Sequence, residues 1–193
     1  MGNQDGAIKT ISSWLRWLAG WLEDDQVICV TEESIQDEYF KLQPINDISG
    51  DFESLVIKID DETAIVVESR RFDERFDRKI PHSRDGLLVY IVDATKSAAQ
   101  GSMSVLSPRD ITKYVEVKHW RSGQEIDGNF CQGDSVNVSW LRIEAAAIQD
   151  GGDYVRVTKR DEWVDWTPPQ VQETEIVQTV DVSDGCVVAN PFG

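Results

Sequence analysis

Two histidines, three cysteines and a surplus of carboxylates are the residues in this sequence best equipped for chemistry. His82 sits in a polar stretch, Pro81-His82-Ser83-Arg84, and His119 stands far from it beside Trp120. Cys29, Cys131 and Cys186 form no CxxC pair, so neither residue type offers the ligand spacing of a structural zinc site. An odd cysteine count allows at most one internal disulfide; the simpler expectation is three thiols behaving as small apolar residues. The 193 residues contain no HExxH, no GxSxG, no glycine-rich phosphate loop before a helix and no EF-hand loop. No catalytic residue and no metal ligand is therefore assigned, and no cofactor is expected for this chain.

The carboxylates carry more information. Glu68 ends an apolar run in Glu68-Ser69-Arg70-Arg71, which half-buries it. A buried carboxylate must be paired or hydrogen bonded. Arg70 is two residues on, so on a strand it shares a face with Glu68 and can reach it. Asp73, Asp77 and Asp93 could in principle supply oxygen ligands to calcium, but their spacing matches no known calcium loop. A structural Glu68–Arg70 pair is the favoured reading.

Several elements must position these groups. Ile8, Ile11, Leu15, Leu18 and Leu22 recur at intervals of three and four, which predicts a helix over residues 7–22. Trp14, Trp17 and Trp21 widen its apolar face, and Gly20 weakens or ends it. With only Lys9 and Arg16 as cations, this face suits core packing better than a membrane surface. After it the period changes to two. Short strands are expected at 27–31, 39–42, 55–59, 64–69, 112–119, 135–143 and 154–158, with breaks at Asp60-Asp61-Glu62 and Asp150-Gly151-Gly152-Asp153. Residues 87–92, an unbroken apolar run, read as a central strand buried on both faces. The fold class is mainly β, an antiparallel sheet or sandwich with one N-terminal amphipathic helix. The expected divisions are a helix over 1–22, a β-rich domain over 23–160, and an acidic tail or incomplete further β segment over 161–193. Trp163, Trp166 and Thr167-Pro168-Pro169 mark that last boundary.

Composition narrows the partners. A net charge of −16 leaves nucleic acid without the clustered cations it needs and argues against anionic membranes. The first residues carry no basic region followed by an apolar stretch, so no signal peptide is expected in this chain.

Four motifs in order resemble one family. Trp17-Leu18-Ala19-Gly20-Trp21-Leu22-Glu23-Asp24-Asp25-Gln26-Val27 is similar to the "W…LGWL.D.QV" stretch of immune inhibitor A-like zinc metallopeptidases. Val66-Val67-Glu68-Ser69-Arg70-Arg71 resembles their "viEsR" strand. Asp77 followed by Asp85-Gly86-Leu87-Leu88-Val89-Tyr90-Ile91-Val92-Asp93 resembles their "D…eGvLVY.VD". Gly133-Asp134-Ser135-Val136 and Gly152-Asp153-Tyr154-Val155-Arg156-Val157 resemble their closing strands. The resemblance covers residues 14–158. Its motif residues are Trp17, Gly20, Trp21, Glu68, Arg70, Asp77, Gly86, Tyr90 and Asp93.

In that family the HExxH helix, the third zinc ligand and the Met-turn precede the GWL segment, and no position here matches them. The resemblance implies a catalytically incomplete C-terminal portion of a secreted, extracellular zinc metallopeptidase-like domain. Zinc, and calcium in many members, belong to the full domain only. It also implies a partner, either the catalytic half or a second copy, against the N-terminal helix. The reading from a different class is an independent β-sandwich module that binds polysaccharide or a protein surface, with Trp120, Trp163 and Trp166 as stacking platforms.

Overall fold

The computed structural model describes residues 10–47, 51–71, 85–97, 100–106, 129–130, 133–149 and 151–164. Residues 7–9 of the expected helix, the expected strand at 112–119, Asp73, Asp77, His82, His119, Trp120, Cys131, Trp166 and Cys186 lie outside them, as does the side chain of Trp163. Nine strands and one short helix form within the described residues. They are α1 (Ser13–Leu18), β1 (Val27–Val30), β2 (Asp37–Leu42), β3 (Ser54–Lys58), β4 (Thr63–Arg70), β5 (Gly86–Asp93), β6 (Met103–Val105), β7 (Asn129–Phe130), β8 (Ser135–Ala147) and β9 (Asp153–Val164).

The strands make two sheets. The larger runs β1-β3-β4-β5-β6, with β7 also on β5; the smaller is antiparallel, in the order β2-β9-β8. The mainly β fold expected from the alternating residues is therefore observed. The strand pairing is antiparallel, as expected, except in one pair. β1 runs parallel to β3, with Cys29 opposite Val56. After β1 the chain crosses to the other sheet to form β2, then returns beside β1. A parallel pair needs a long crossover of this kind, and residues 31–53 supply it.

Alternation along the strands separates two apolar layers. Leu55 and Ile57 of β3, Ile65 and Val67 of β4, and Leu87 and Val89 of β5 pack toward the second sheet. There they share a core with Leu42, Val138, Leu141, Ile143, Val155 and Val157. Val56, Val66, Leu88, Tyr90 and Val92 point the other way, where Leu22, Trp14 and Trp17 cover them. The run at 87–92 is thus buried on both faces, and β5 sits between β4 and β6.

Helix α1 departs from the expected 7–22. Its described part is Ser13–Leu18, and a Schellman motif ends it. Gly20 N–H donates to Trp17 O at 3.0 Å and Trp21 N–H to Arg16 O at 2.8 Å, with Gly20 at φ +68. Trp21 and Leu22 therefore follow the helix. The buried face is also corrected. Ser13 is fully buried and Trp14 and Trp17 pack on the sheet, while Ile11, Leu15, Leu18 and Trp21 are exposed. Hydropathy alone favours the wrong side, because polar partners on the sheet draw Ser13 inward.

The break at 150–153 does connect β8 to β9, with Gly152 at φ +119 and its N–H on Gln149 O at 3.1 Å. β9 then continues to Val164, past residue 160; beyond Leu141, opposite Lys159, the register is irregular, and Ser139 lies opposite Val164.

Candidate functional site

The pairing of β3, β4 and β5 brings Ser54, Glu68 and Leu88 side by side, with Tyr90 two residues along β5 on the same face. Glu68 is 0% exposed and Arg70 1%. Arg70 Nε donates to Glu68 Oε1 at 2.6 Å, and its Nη2 also reaches that oxygen. Oε2 accepts Ser13 N–H at 2.6 Å and the Tyr90 hydroxyl at 3.1 Å. Trp14 N–H donates to the Tyr90 oxygen at 3.3 Å, and the Ser13 and Ser54 hydroxyls meet at 2.8 Å. Arg70 Nη1 donates to Thr10 O at 3.2 Å. Two backbone donors at the start of α1, which a helix leaves without partners, are thus satisfied by strand side chains. Gly86 lies directly opposite Arg70 and sets no side chain beside it.

This cluster holds structure. Both Glu68 oxygens are filled, none of its surface is open, and no substrate can reach it. Burial, with Glu68 beside it, holds the Tyr90 phenol protonated far above its ordinary range.

Asp93 ends β5 and is tied to the turn that follows. Its Oδ1 accepts Thr95 N–H at 3.0 Å and Oδ2 meets Lys96 Nζ at 2.7 Å. Hydrogen bonds from Lys96 and Thr95 pull its pKa down to about 2. Among the described residues no group of three His, Cys, Asp or Glu is arranged to hold a metal ion.

Two buried polar groups carried no local sequence signal. Asp153, fully buried, accepts Ser69 Oγ–H at 2.7 Å and Gln149 N–H at 3.0 Å and pairs with Arg71. Glu53 pairs with Arg16 at 2.8 Å, and Arg16 also donates to Ile45 O at 2.6 Å. Burial pushes both carboxyls up, against the pull of Arg71 and Arg16 respectively.

Among the described residues an accessible cleft of about 330 Å³ lies on the outer face of the larger sheet. Trp14 and Trp17 wall one side, their rings edge to face at 5.7 Å. Trp17 is fixed by its Nε1–H, which donates to Asp24 at 2.8 Å. Val56, Ala64 and Val92 form the floor, and Asp60, Asp61 and Glu62 of the β3–β4 turn stand at the mouth with Lys58. Cys29 also lines it; burial first, then Asp24, raises its thiol pKa, so it is a poor nucleophile. Trp17 thus belongs to the accessible site, Glu68, Arg70, Gly86 and Tyr90 to the buried cluster, Gly20 and Trp21 to the helix end, and Asp93 to a turn. Trp14, read from sequence only as part of a helix stripe, proves to be a cleft wall.

Comparison with known proteins gave no match: no family model, no curated protein and no solved structure corresponds to this chain.

Proposed function

We propose that this chain is the β-rich, non-catalytic portion of a secreted metallopeptidase-like domain of the immune inhibitor A kind, in which proteolysis depends on a zinc-bearing half. The observation that supports this reading is the convergence of its motif residues. Glu68 and Arg70 from one motif and Tyr90 from another meet at Ser13 and Trp14, in the helix turn just before the GWL motif. Residues distant in sequence thus form one mechanical unit, as expected if the motifs belong together. The outer face of α1 supports the partner: Leu18 and Trp21 are 64% and 65% exposed, beside Ile11 and Leu15. Large apolar side chains exposed together along one short segment suit an interaction surface. The catalytic half, or a second copy, would cover it.

A second reading, a β-sandwich module that binds polysaccharide or a protein surface, is favoured by the cleft against Trp14 and Trp17. One purified sample separates the two. Elemental analysis and casein hydrolysis with and without chelator should give no stoichiometric zinc and no chelator-sensitive cleavage. Sedimentation should show concentration-dependent association, stronger as salt screens the acidic surface and abolished by Leu18→Gln with Trp21→Gln. One zinc per chain with chelator-sensitive cleavage sinks the non-catalytic reading. A strict monomer at all concentrations and salt levels favours the binding module.

A further inference from the structure

We infer that the cleft beside Trp14 and Trp17 takes the side chain of a lysine or arginine presented by a peptide partner. This goes beyond the metallopeptidase-like reading and does not depend on it. A side chain of this type has an apolar stem and a cationic head, and each part of the cleft answers one of them. The floor is Val56, Ala64 and Val92, one residue from each of three adjacent strands, with no polar side chain among them. The tryptophan wall offers apolar surface along the stem and indole π-electrons to the cation. The mouth holds three carboxylates, Asp60, Asp61 and Glu62, against one ammonium, Lys58.

That one cation is a weak competitor. Lys58 Nζ meets Asp61 at 2.6 Å, but the two side chains are 55% and 94% exposed, so the pair is solvated and exchanges readily. Asp60 is occupied by Glu62 N–H and Thr63 N–H, which fixes the turn. Asp24, holding Trp17 from the other side, adds a further negative charge near Cys29. An anionic ligand would meet repulsion at this mouth. A neutral sugar could stack on the same wall but would gain nothing from the charge of the three carboxylates, which a cationic head group would.

The test titrates the isotope-labelled full chain with Nα-acetyl-lysine methylamide and, separately, with Nα-acetyl-norleucine methylamide, which keeps the four-carbon stem and lacks the ammonium, following the indole resonances of Trp14 and Trp17 and the amide of Ala64. The lysine probe should shift them saturably, and the norleucine probe should bind about five-fold more weakly. Added salt should weaken the lysine probe alone. Glu62→Gln should weaken the lysine probe about three-fold and leave norleucine unchanged. That variant is expected to fold, because the contacts described for Glu62 are backbone ones, to Asp60 and from Ala94. Equal affinity for both probes, or no effect of Glu62→Gln in a variant with an unchanged melting curve, would mean an apolar hollow only and overturn the inference. So would the absence of saturable shifts with either probe.

Discussion

Glu68 shows how one buried charge organises its neighbours. Its two oxygens collect donors from three elements: Arg70 on its own strand, Tyr90 on β5 and the first residue of α1. Removing the carboxylate takes from Arg70, buried at 1% exposure, the acceptor of its Nε–H and takes from the Ser13 N–H its acceptor. Glu68→Ala should therefore cost about 3–5 kcal/mol of folding stability, as for other broken buried pairs. Glu68→Gln should cost less, since an amide oxygen still accepts one of these donors. Denaturant melts of Glu68→Ala, Arg70→Ala and the double variant check the coupling: the losses should be far from additive, and additive losses would show that the two side chains act independently. This pair was legible in the sequence, because a Glu and an Arg two apart at the end of an apolar strand must share a face. The Asp153 cluster was not. Ser69, Arg71 and Asp153 are brought together only when β9 docks through the second sheet, and no local spacing encodes that.

Among the elements, those with simple periodicity were readable and those defined by partners were not. Residues 55–59 and 64–69 with the acidic break between them, and the run at 87–92, announce β3, β4 and β5 through β-branched content and length. The parallel placement of β1 depends on a crossover through the other sheet, which alternation cannot reveal. The buried face of α1 is hidden from the sequence for a related reason: Ile11, Leu15 and Leu18 make the cleaner stripe, yet hydrogen bonds to Glu68 and Ser54 select the side bearing Ser13. The turns are where backbone sterics decide. A Cβ on Gly152, at φ +119, would meet Lys41 Cε at 2.7 Å and Leu42 O at 3.1 Å, so strain and crowding act together. A Cβ on Gly20, at φ +68, would meet nothing within 4 Å. Gly20→Ala should thus cost about 1–2 kcal/mol, the ordinary penalty of a left-handed residue. Gly152→Ala should cost more, up to about 3 kcal/mol from the backbone strain alone. Thermal melts order the two; an equal or smaller loss for Gly152→Ala would mean that the β8–β9 turn shifts to relieve the contact.

At the scale of the whole molecule the decisive quantity is charge. With a net charge of −16 at pH 7, the folded chain repels itself, and protonating carboxylates relieves that repulsion. Two buried carboxyls add to the effect. Burial raises the pKa of Glu53 and Asp153 in the folded state above their ordinary values of 4.5 and 3.8. The folded chain therefore binds protons more readily than the unfolded one as pH falls from neutral, and each group contributes stability that is complete below its unfolded value and lost as pH rises through its folded value. The opposite holds for Asp37, Asp61 and Asp93, which Arg156, Lys58 and Lys96 with Thr95 hold below 3.8, Asp93 at about 2. Their contribution is present above that unfolded value and is lost as pH falls toward their folded ones. The melting temperature should therefore rise from pH 7 to a maximum near pH about 4–5 and fall below it. High salt should flatten the part that comes from long-range repulsion and leave the part that belongs to Glu53 and Asp153. Calorimetry across this range at low protein concentration, repeated with Asp153→Asn, gives the check. A melting temperature that is flat or falls steadily from pH 7 to 5 in both salt conditions would mean that Arg16 and Arg71 fully compensate the burial of their partners.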